Sequence, residues 1–325
     1  MERLTGFMDV PGRDWALETK EAVILRDALP PDIWDKLRKC FLDGDIVSAQ
    51  TKEVLSYLKD NSIITQMVQA DPTSSLTFEY LYLKKPITNN IDKYFPAGKA
   101  ATAIYERLNT LKEYLPEVIR KEIGRKESSK DKYTILNIGS GPGHDTIEIL
   151  NENRDLAEKV HVICLDPDGE ALKIGMERVK EYGLLNSFSF VEKKLHDFSG
   201  DKFDMLLLIG IFCTRQSDIS KKVIGNLTVY ARWDGIIVFS MVKNKMVLGD
   251  PLTDFIMRLG GWHMKYKYEG EPAEIAMAAG WKPIDRFYDN LDYNCMTIAR
   301  LQWNPSVCMK KTIYPVYKFF KSKKS

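Results

Sequence analysis

Residues Tyr133 to Asp145 read Tyr-Thr-Ile-Leu-Asn-Ile-Gly-Ser-Gly-Pro-Gly-His-Asp, a β-branched and apolar run that breaks into three alternating glycines and resumes at Thr146 as an amphipathic segment. That order predicts strand, tight turn, helix. Glycine suits such a turn because a side chain would hold the backbone away from a ligand, and because a left-handed φ costs it little. The spacing narrows the ligand. A dinucleotide fingerprint is G-x-G-x-x-G, whereas Gly139, Gly141 and Gly143 alternate and His144 stands where the last glycine would belong. A pyrophosphate cradle is the weaker reading, and a glycine turn alone fits a purely structural role equally well.

From Tyr133 onward strand and helix patterns alternate, which argues for βαβ units on a parallel sheet. Residues 160–165 form the second strand and end in Asp166-Pro167-Asp168; 170–182 is the next helix and 188–191 the third strand. The fourth, 203–209, is almost continuously apolar, as a strand covered on both faces should be. Residues 217–232 read as a helix, and Trp233-Asp-Gly235 as a turn into the fifth strand, 236–242. A short helix over 271–280 carries proline in its first turn and glycine after its end. Residues 281–287 and 293–301 close the pattern as a hairpin about Asp289-Asn290.

Residues up to about 128 read as mainly helical: 15–29 ends at Pro30-Pro31, 32–42 stops at Asp43-Gly44, and 48–58 opens on Ser48 as a cap. Phe78, Tyr80 and Tyr82 alternate within 76–83, which fits helix or strand. A long helix over 99–123 places Ala103, Leu108, Leu111 and Leu115 on one face, interrupted at most by Pro116. The charged linker 126–132 puts a boundary near 128. The expected organisation is a helical N-terminal domain over 1–128, an α/β domain over 129–303, and a basic aromatic tail over 304–325 that suits an anionic surface or plain solvation.

Charge excludes little. With 47 basic and 45 acidic residues the net charge is +2, so there is no global electrostatic case for a nucleic-acid partner. Five cysteines without C-x-x-C spacing read as free thiols in a reducing compartment. The first residues show no basic-then-apolar leader, and the longest apolar run, 205–213, is about half of what a spanning helix needs. The expectation is a cytoplasmic protein with no transmembrane segment and no metal site.

Residues 133–301 resemble the class I S-adenosylmethionine-dependent methyltransferases. The glycine turn is similar to that family's motif I, Trp233-Asp-Gly-Ile-Ile-Val-Phe239 stands where the family has a proline-glycine-glycine turn before strand five, and Ala278-Ala-Gly-Trp281 looks like its turn before strand six. The resemblance implies an α/β, doubly wound, seven-stranded and mostly parallel sheet with an antiparallel last strand. It implies S-adenosylmethionine as cofactor and in-line displacement of its methyl group onto an acceptor. A small molecule is the favoured acceptor, since no motif points to nucleic acid.

The same resemblance assigns residues. Gly139, Ser140, Gly141 and Gly143 would lie against the nucleoside, and Asp166, followed by Pro167, would grip the ribose hydroxyls. Asn137 replaces the family's usual acid and can accept a hydrogen bond from the cofactor's amino group without an ion pair, which implies modest affinity. Asp197 is the candidate for the adenine amine, with Leu195 or His196 beside the ring. Ile209 and Gly210 would stand near the methyl group. Tyr94, Lys99 and Tyr105 either reach over the cofactor or belong to an ordinary packed helix.

A methyl group on a sulfonium is already activated, so alignment can carry much of the rate. If the acceptor must lose a proton, His263 and His144 are the weak candidates for a base. Residues 243–270, with Trp262, Met264, Tyr266 and Tyr268, read as a substrate wall or lid, or as an extra helix with core aromatics. Cys213 lacks a preceding proline, which disfavours a covalent cytosine-C5 mechanism. Two other readings stay open. An aminopropyltransferase would use the decarboxylated cofactor and want a carboxylate cluster after strand four; a methyltransferase-like scaffold would have lost turnover. The helical region could also serve a homodimer interface.

Overall fold

The computed structural model describes residues 4–70, 87, 89–126 and 131–302 of the 325-residue chain. Segment 76–83, with Phe78, Tyr80 and Tyr82, the proposed boundary at 128 and the tail from 304 lie outside the described residues. The N-terminal part comprises α1 (Lys20–Ala28), α2 (Pro31–Asp43), α3 (Ala49–Asn61), α4 (Ile63–Ala70), α5 (Tyr94–Ala97) and α6 (Lys99–Arg125). The single helix expected over 15–29 is divided. A 3-10 stretch, Arg13–Glu18, gives way at Thr19, whose side chain accepts the Ala22 N–H and starts α1 anew.

Helix α4 had no signal of its own. Its first turn is satisfied by Asp92, fully buried, which accepts the Ser62 hydroxyl at 2.5 Å and the Ile63 N–H at 2.9 Å. A cap supplied from about thirty residues away leaves no local pattern. Helix α6 runs through Pro116 without a break. A proline inside a helix costs about 3 kcal/mol, but Leu111, Leu115 and Ile119 are each at most 1% exposed. Burying three such side chains returns roughly 5–9 kcal/mol, so packing wins.

The α/β part runs β1 (Tyr133–Ile138), α7 (His144–Glu152), α8 (Arg154–Lys159), β2 (Val160–Asp166), α9 (Gly169–Glu181), β3 (Phe188–Glu192), β4 (Phe203–Leu208), α10 (Ser217–Asn226) and β5 (Ala231–Val242), then α11 (Asn244–Gly249), α12 (Pro251–Leu259), α13 (Glu271–Ala278), β6 (Trp281–Tyr288) and β7 (Asn294–Leu301). The sheet order is β3-β2-β1-β4-β5-β7-β6. Strands β1 to β5 pair in parallel and β7 is antiparallel to both its neighbours. The expected architecture holds.

One expectation there needs correcting: 217–232 is not one helix. It ends at Asn226, and Trp233-Asp234-Gly235, read as a turn, lies within β5. A register irregularity between the Phe203 and Met205 pairings absorbs the extra residues, with Asp234 at φ 62°.

Three apolar cores form. One joins Leu111, Leu115 and Ile119 of α6 to one sheet face, and another packs Ile224, Ile275 and Trp281 on the opposite face. The third gathers Phe7, Leu37 and Phe41 from the N-terminal helices with Phe255, Trp262 and Tyr266 from the segment after β5. Core membership therefore cuts across a division at 128: α6 packs with the sheet, and residues 247–266 pack with the N-terminal helices.

Candidate active site

Strand order reverses between β1 and β4, and the crevice of a doubly wound sheet opens at that point, beyond the carboxyl ends of the strands. The turn after β1 holds Gly139, Gly141 and Gly143 at φ 60°, 51° and 76°. All three are left-handed, which only glycine adopts at little cost. The Gly139 N–H donates to the Leu165 carbonyl at 2.8 Å, and the Gly141 N–H to Asp166 Oδ2 at 2.8 Å. Asp166 Oδ1 accepts the Asp168 N–H at 2.9 Å. Asp166 thus anchors the turn from the end of β2. It is half-buried, neither sealed in nor facing bulk solvent.

The other expected residues lie at or just past the carboxyl ends of β1 to β4. Asn137 is buried at the end of β1, its amide 3.4 Å from the Thr146 hydroxyl. Ser140 Oγ donates to the Gly141 carbonyl at 3.1 Å. Pro167 is exposed beyond β2. Leu195, His196 and Asp197 form a 3-10 turn after β3, with His196 Nε2 3.4 Å from Asp197 Oδ2 on the surface. Ile209 is buried, and the Gly210 N–H, at φ 83°, donates to Ser240 Oγ at 2.8 Å. Ile211 then crosses to the turn. Its Cδ1 lies 3.0 Å from where a Cβ on Gly139 would stand, so glycine at 139 also lets the exit of β4 pass.

A cavity lies beside the crevice. Ala100, Ile104 and Arg107 of α6 form one wall, Cys213 and Val242 stand past the ends of β4 and β5, and Met246, Trp262 and Met264 face them. The space open to the centre of a water molecule is about 50 Å³, room for about four waters at 10–15 Å³ each. No residue of the glycine turn lines it.

The wall from 262 to 266 is extended rather than helical. The Lys265 N–H donates to the Cys213 carbonyl at 2.7 Å and the Lys267 N–H to Val242 at 2.8 Å. Extended backbone sends successive side chains to opposite faces. Trp262, Met264 and Tyr266 therefore face the cavity, while His263 is exposed on the other side. Tyr268 instead hydrogen-bonds Glu274.

Neither histidine reaches the cavity. His144 Nδ1 contacts Arg178 of α9, and burial, aided by Arg178 and Lys112, pushes its pKa down to about 3. Desolvation also lowers His263. Burial raises the Cys213 thiol and holds Tyr266 far above the usual phenol range, so both are neutral. Of the residues expected over the cofactor, Tyr94 is buried with its hydroxyl 2.8 Å from Thr253 Oγ1, and Lys99 faces solvent. Tyr105 is partly buried on α6, two residues before Arg107.

Arg107 is not among the residues expected at the site. It is 5% exposed and lines the cavity, on the stripe set by Ala103 and Leu111, four residues to either side. An arginine on an apolar helical stripe was the available signal.

A sheet reversed between β1 and β4, a left-handed glycine turn and an acid at the end of β2 are the arrangement expected of the methyltransferase fold. Residues 129–282 match the family described as a methyltransferase domain. Over 77 residues it is 31% identical to the ubiquinone/menaquinone biosynthesis C-methyltransferase UbiE of Sinorhizobium fredii, a match spanning 23% of this chain and 29% of that relative's length. The fold resembles a "possible exported protein" from Bordetella parapertussis, with TM-score 0.61 and 11% identity over 88% of this chain and 98% of that one. It also resembles magnesium protoporphyrin IX methyltransferase from Synechocystis PCC 6803 bound to S-adenosylhomocysteine, with TM-score 0.52 and 13% identity over 74% of this chain and all (100%) of that one. At such identities these likenesses show the fold alone. No helix among the described residues is long and apolar enough to cross a membrane.

Proposed function

We propose that this protein transfers a methyl group from S-adenosylmethionine to a small, largely apolar acceptor. The observation that carries the reading is the cavity walled by Ile104, Met246, Trp262 and Met264 beside the ends of β4 and β5, adjoining a crevice whose glycine turn is tied to Asp166. The residues present fit the cofactor. Asp166 would hold the ribose, Asn137 and the turn the methionine end, and Leu195 to Asp197 the adenine. The bound group supplies a sulfonium methyl that is already electrophilic.

The chain's own contribution is placement and exclusion of water. The apolar wall desolvates the acceptor and α6 fixes its approach, which is where alignment gains its rate. One relative is named for ubiquinone/menaquinone biosynthesis and a structural neighbour for magnesium protoporphyrin IX, names that support a small-molecule acceptor. The two carboxylates on the cavity wall do not form a polyamine site. Asp254 is engaged by Arg258, Tyr266 and the Phe7 N–H, and Asp250 by the Thr253 and Ala100 N–H groups. The four described cysteines are buried free thiols, which supports a reducing, cytoplasmic setting.

Two measurements test the proposal. Titration calorimetry should show S-adenosylhomocysteine binding, and tritium transfer from labelled S-adenosylmethionine across a panel of flat apolar phenols and carboxylic acids should identify acceptors. Absence of binding would favour a scaffold role.

A further inference from the structure

Asn294 opens β7 opposite Val242, the last residue of β5, so it stands at the carboxyl end of the parallel strands, on the same edge of the sheet as the glycine turn. It lines the cavity and is 3% exposed. Both of its amide hydrogens are engaged, since Nδ2 donates to Asp289 Oδ2 at 2.7 Å and to the Ala103 carbonyl of α6 at 3.3 Å. These partners are acceptors only, so the amide cannot turn over without setting its oxygen against a carboxylate and a carbonyl. Asp289 is itself held fast. Buried in the turn before β7, it accepts the N–H groups of Leu291 at 2.9 Å, Tyr293 at 3.1 Å and Asn294 at 2.6 Å.

The fixed amide leaves Oδ1 as an acceptor to which no group among the described residues donates. The oxygen is not sealed in by protein, and on a residue so little exposed the space open to it is the cavity. The hydroxyls and carboxylates of the same wall serve one another or the backbone. Tyr266 donates to Asp254 at 2.6 Å, Thr253 Oγ1 lies 2.8 Å from the Tyr94 hydroxyl, and Asp250 accepts the Thr253 and Ala100 N–H groups, each at 3.2 Å.

We infer that Asn294 selects acceptors that carry a neutral hydrogen-bond donor, a hydroxyl or a ring N–H, on an apolar body. A carbonyl oxygen shut away from water without a donor is worth about five- to 150-fold in an equilibrium constant, and a ligand that supplies the donor recovers it. A ligand of the same shape that presents only a lone pair leaves the oxygen unpaired and adds repulsion, which is how a polar site rejects an isostere. A charged donor is disfavoured because it must shed its hydration against Ile104, Met246 and Met264. The position argues for the acceptor rather than the cofactor, since no residue of the glycine turn lines this cavity. This inference rests on the reading of the cavity as the acceptor site.

The test titrates indole and benzofuran, rings of one shape that differ in carrying an N–H or a bare oxygen, into the full-length protein by ligand-observed NMR, with and without saturating S-adenosylhomocysteine. The wild type should prefer indole by about fivefold or more, the scale of one neutral hydrogen bond. Asn294→Leu, or Asn294→Ala should the leucine variant not fold, should bring that ratio to about one or below, with affinity for S-adenosylhomocysteine kept within about twofold. Equal wild-type affinities, a preference for benzofuran, or failure of both rings to bind overturn the inference without reference to any variant. An indole preference that survives the substitution overturns it too, as does a loss confined to S-adenosylhomocysteine, which would give Asn294 to the cofactor. Failure of the nucleoside alone to bind, with the indole preference present and dependent on Asn294, would count against the methyltransferase reading and still support the donor selection, since the ratio is also read without the nucleoside.

Discussion

The Asp166 carboxylate accepts the backbone N–H of Gly141 at 2.8 Å, joining the end of β2 to the turn after β1 across twenty-five residues of sequence. One side chain thus shapes the crevice, and under the proposed function it would also hold the ribose. Asp166→Ala removes both, and a hydrogen bond involving a charged group is worth about 1.5–3 kcal/mol. S-adenosylhomocysteine affinity should fall by roughly 10- to 150-fold in titration calorimetry. An unchanged affinity would refute the ribose role.

The turn is also braced from behind. A Cβ on Gly175, in α9, would collide with the Pro142 carbonyl oxygen and meet Phe190 at 2.8 Å, whereas Gly124, in α6, has no atom within 4 Å of that position. Gly175→Ala should therefore destabilise the fold by about 1–3 kcal/mol through overpacking. Gly124→Ala should stabilise it by about 0.5–1 kcal/mol through helix propensity. Urea unfolding of the two variants should move the midpoint in opposite directions.

Burial, with Arg178 and Lys112, takes the His144 pKa from 6.5 to about 3. The folded value lies below the unfolded one, so its stabilisation is complete above pH 6.5 and is lost as pH falls toward 3. Within that window the loss is at most about 1.4 kcal/mol per pH unit. Unfolding free energies measured by urea from pH 7 to pH 4 should fall more steeply for the wild type than for His144→Gln. Parallel slopes would show that the ring titrates normally.

Asp254 couples the first residues to the cavity wall. It accepts the Phe7 N–H at 2.7 Å, Arg258 Nε at 2.7 Å and the Tyr266 hydroxyl at 2.6 Å. Removing one member of a buried pair leaves its partner's charge uncompensated, at about 3–5 kcal/mol. Asp254→Ala should lose that much stability in calorimetric melting, and the fluorescence of Trp262 should report an opened wall before global unfolding.

His263 and Trp262 are adjacent but face opposite ways, one exposed and one 7% exposed against the cavity. His263→Ala should leave methyl transfer to any acceptor found in the panel within about twofold, whereas Trp262→Ala should raise the acceptor KM by about tenfold or more, as loss of a buried aromatic contact does. A large kcat loss in His263→Ala, with a shifted pH profile, would restore it as the base.

The order of the seven strands from Tyr133 to Leu301, the glycine turn and Asp166 at the end of β2 are all legible in the sequence. Each is set by neighbours in the chain: alternating or continuous apolar residues, glycine where φ must be positive, and an acid directly after an apolar run. What tertiary structure decided is where distant pieces meet. Asp92 caps α4, residues 247–266 pack with the N-terminal helices, and Arg107 comes to rest against Gly210 and Cys213. Such contacts depend on how whole elements pack, and an arginine's surroundings on a helical stripe exist only once the opposing wall has folded against it. The class of the protein was therefore written in local pattern, while the shape and charge of the cavity beside the crevice arose from long-range packing.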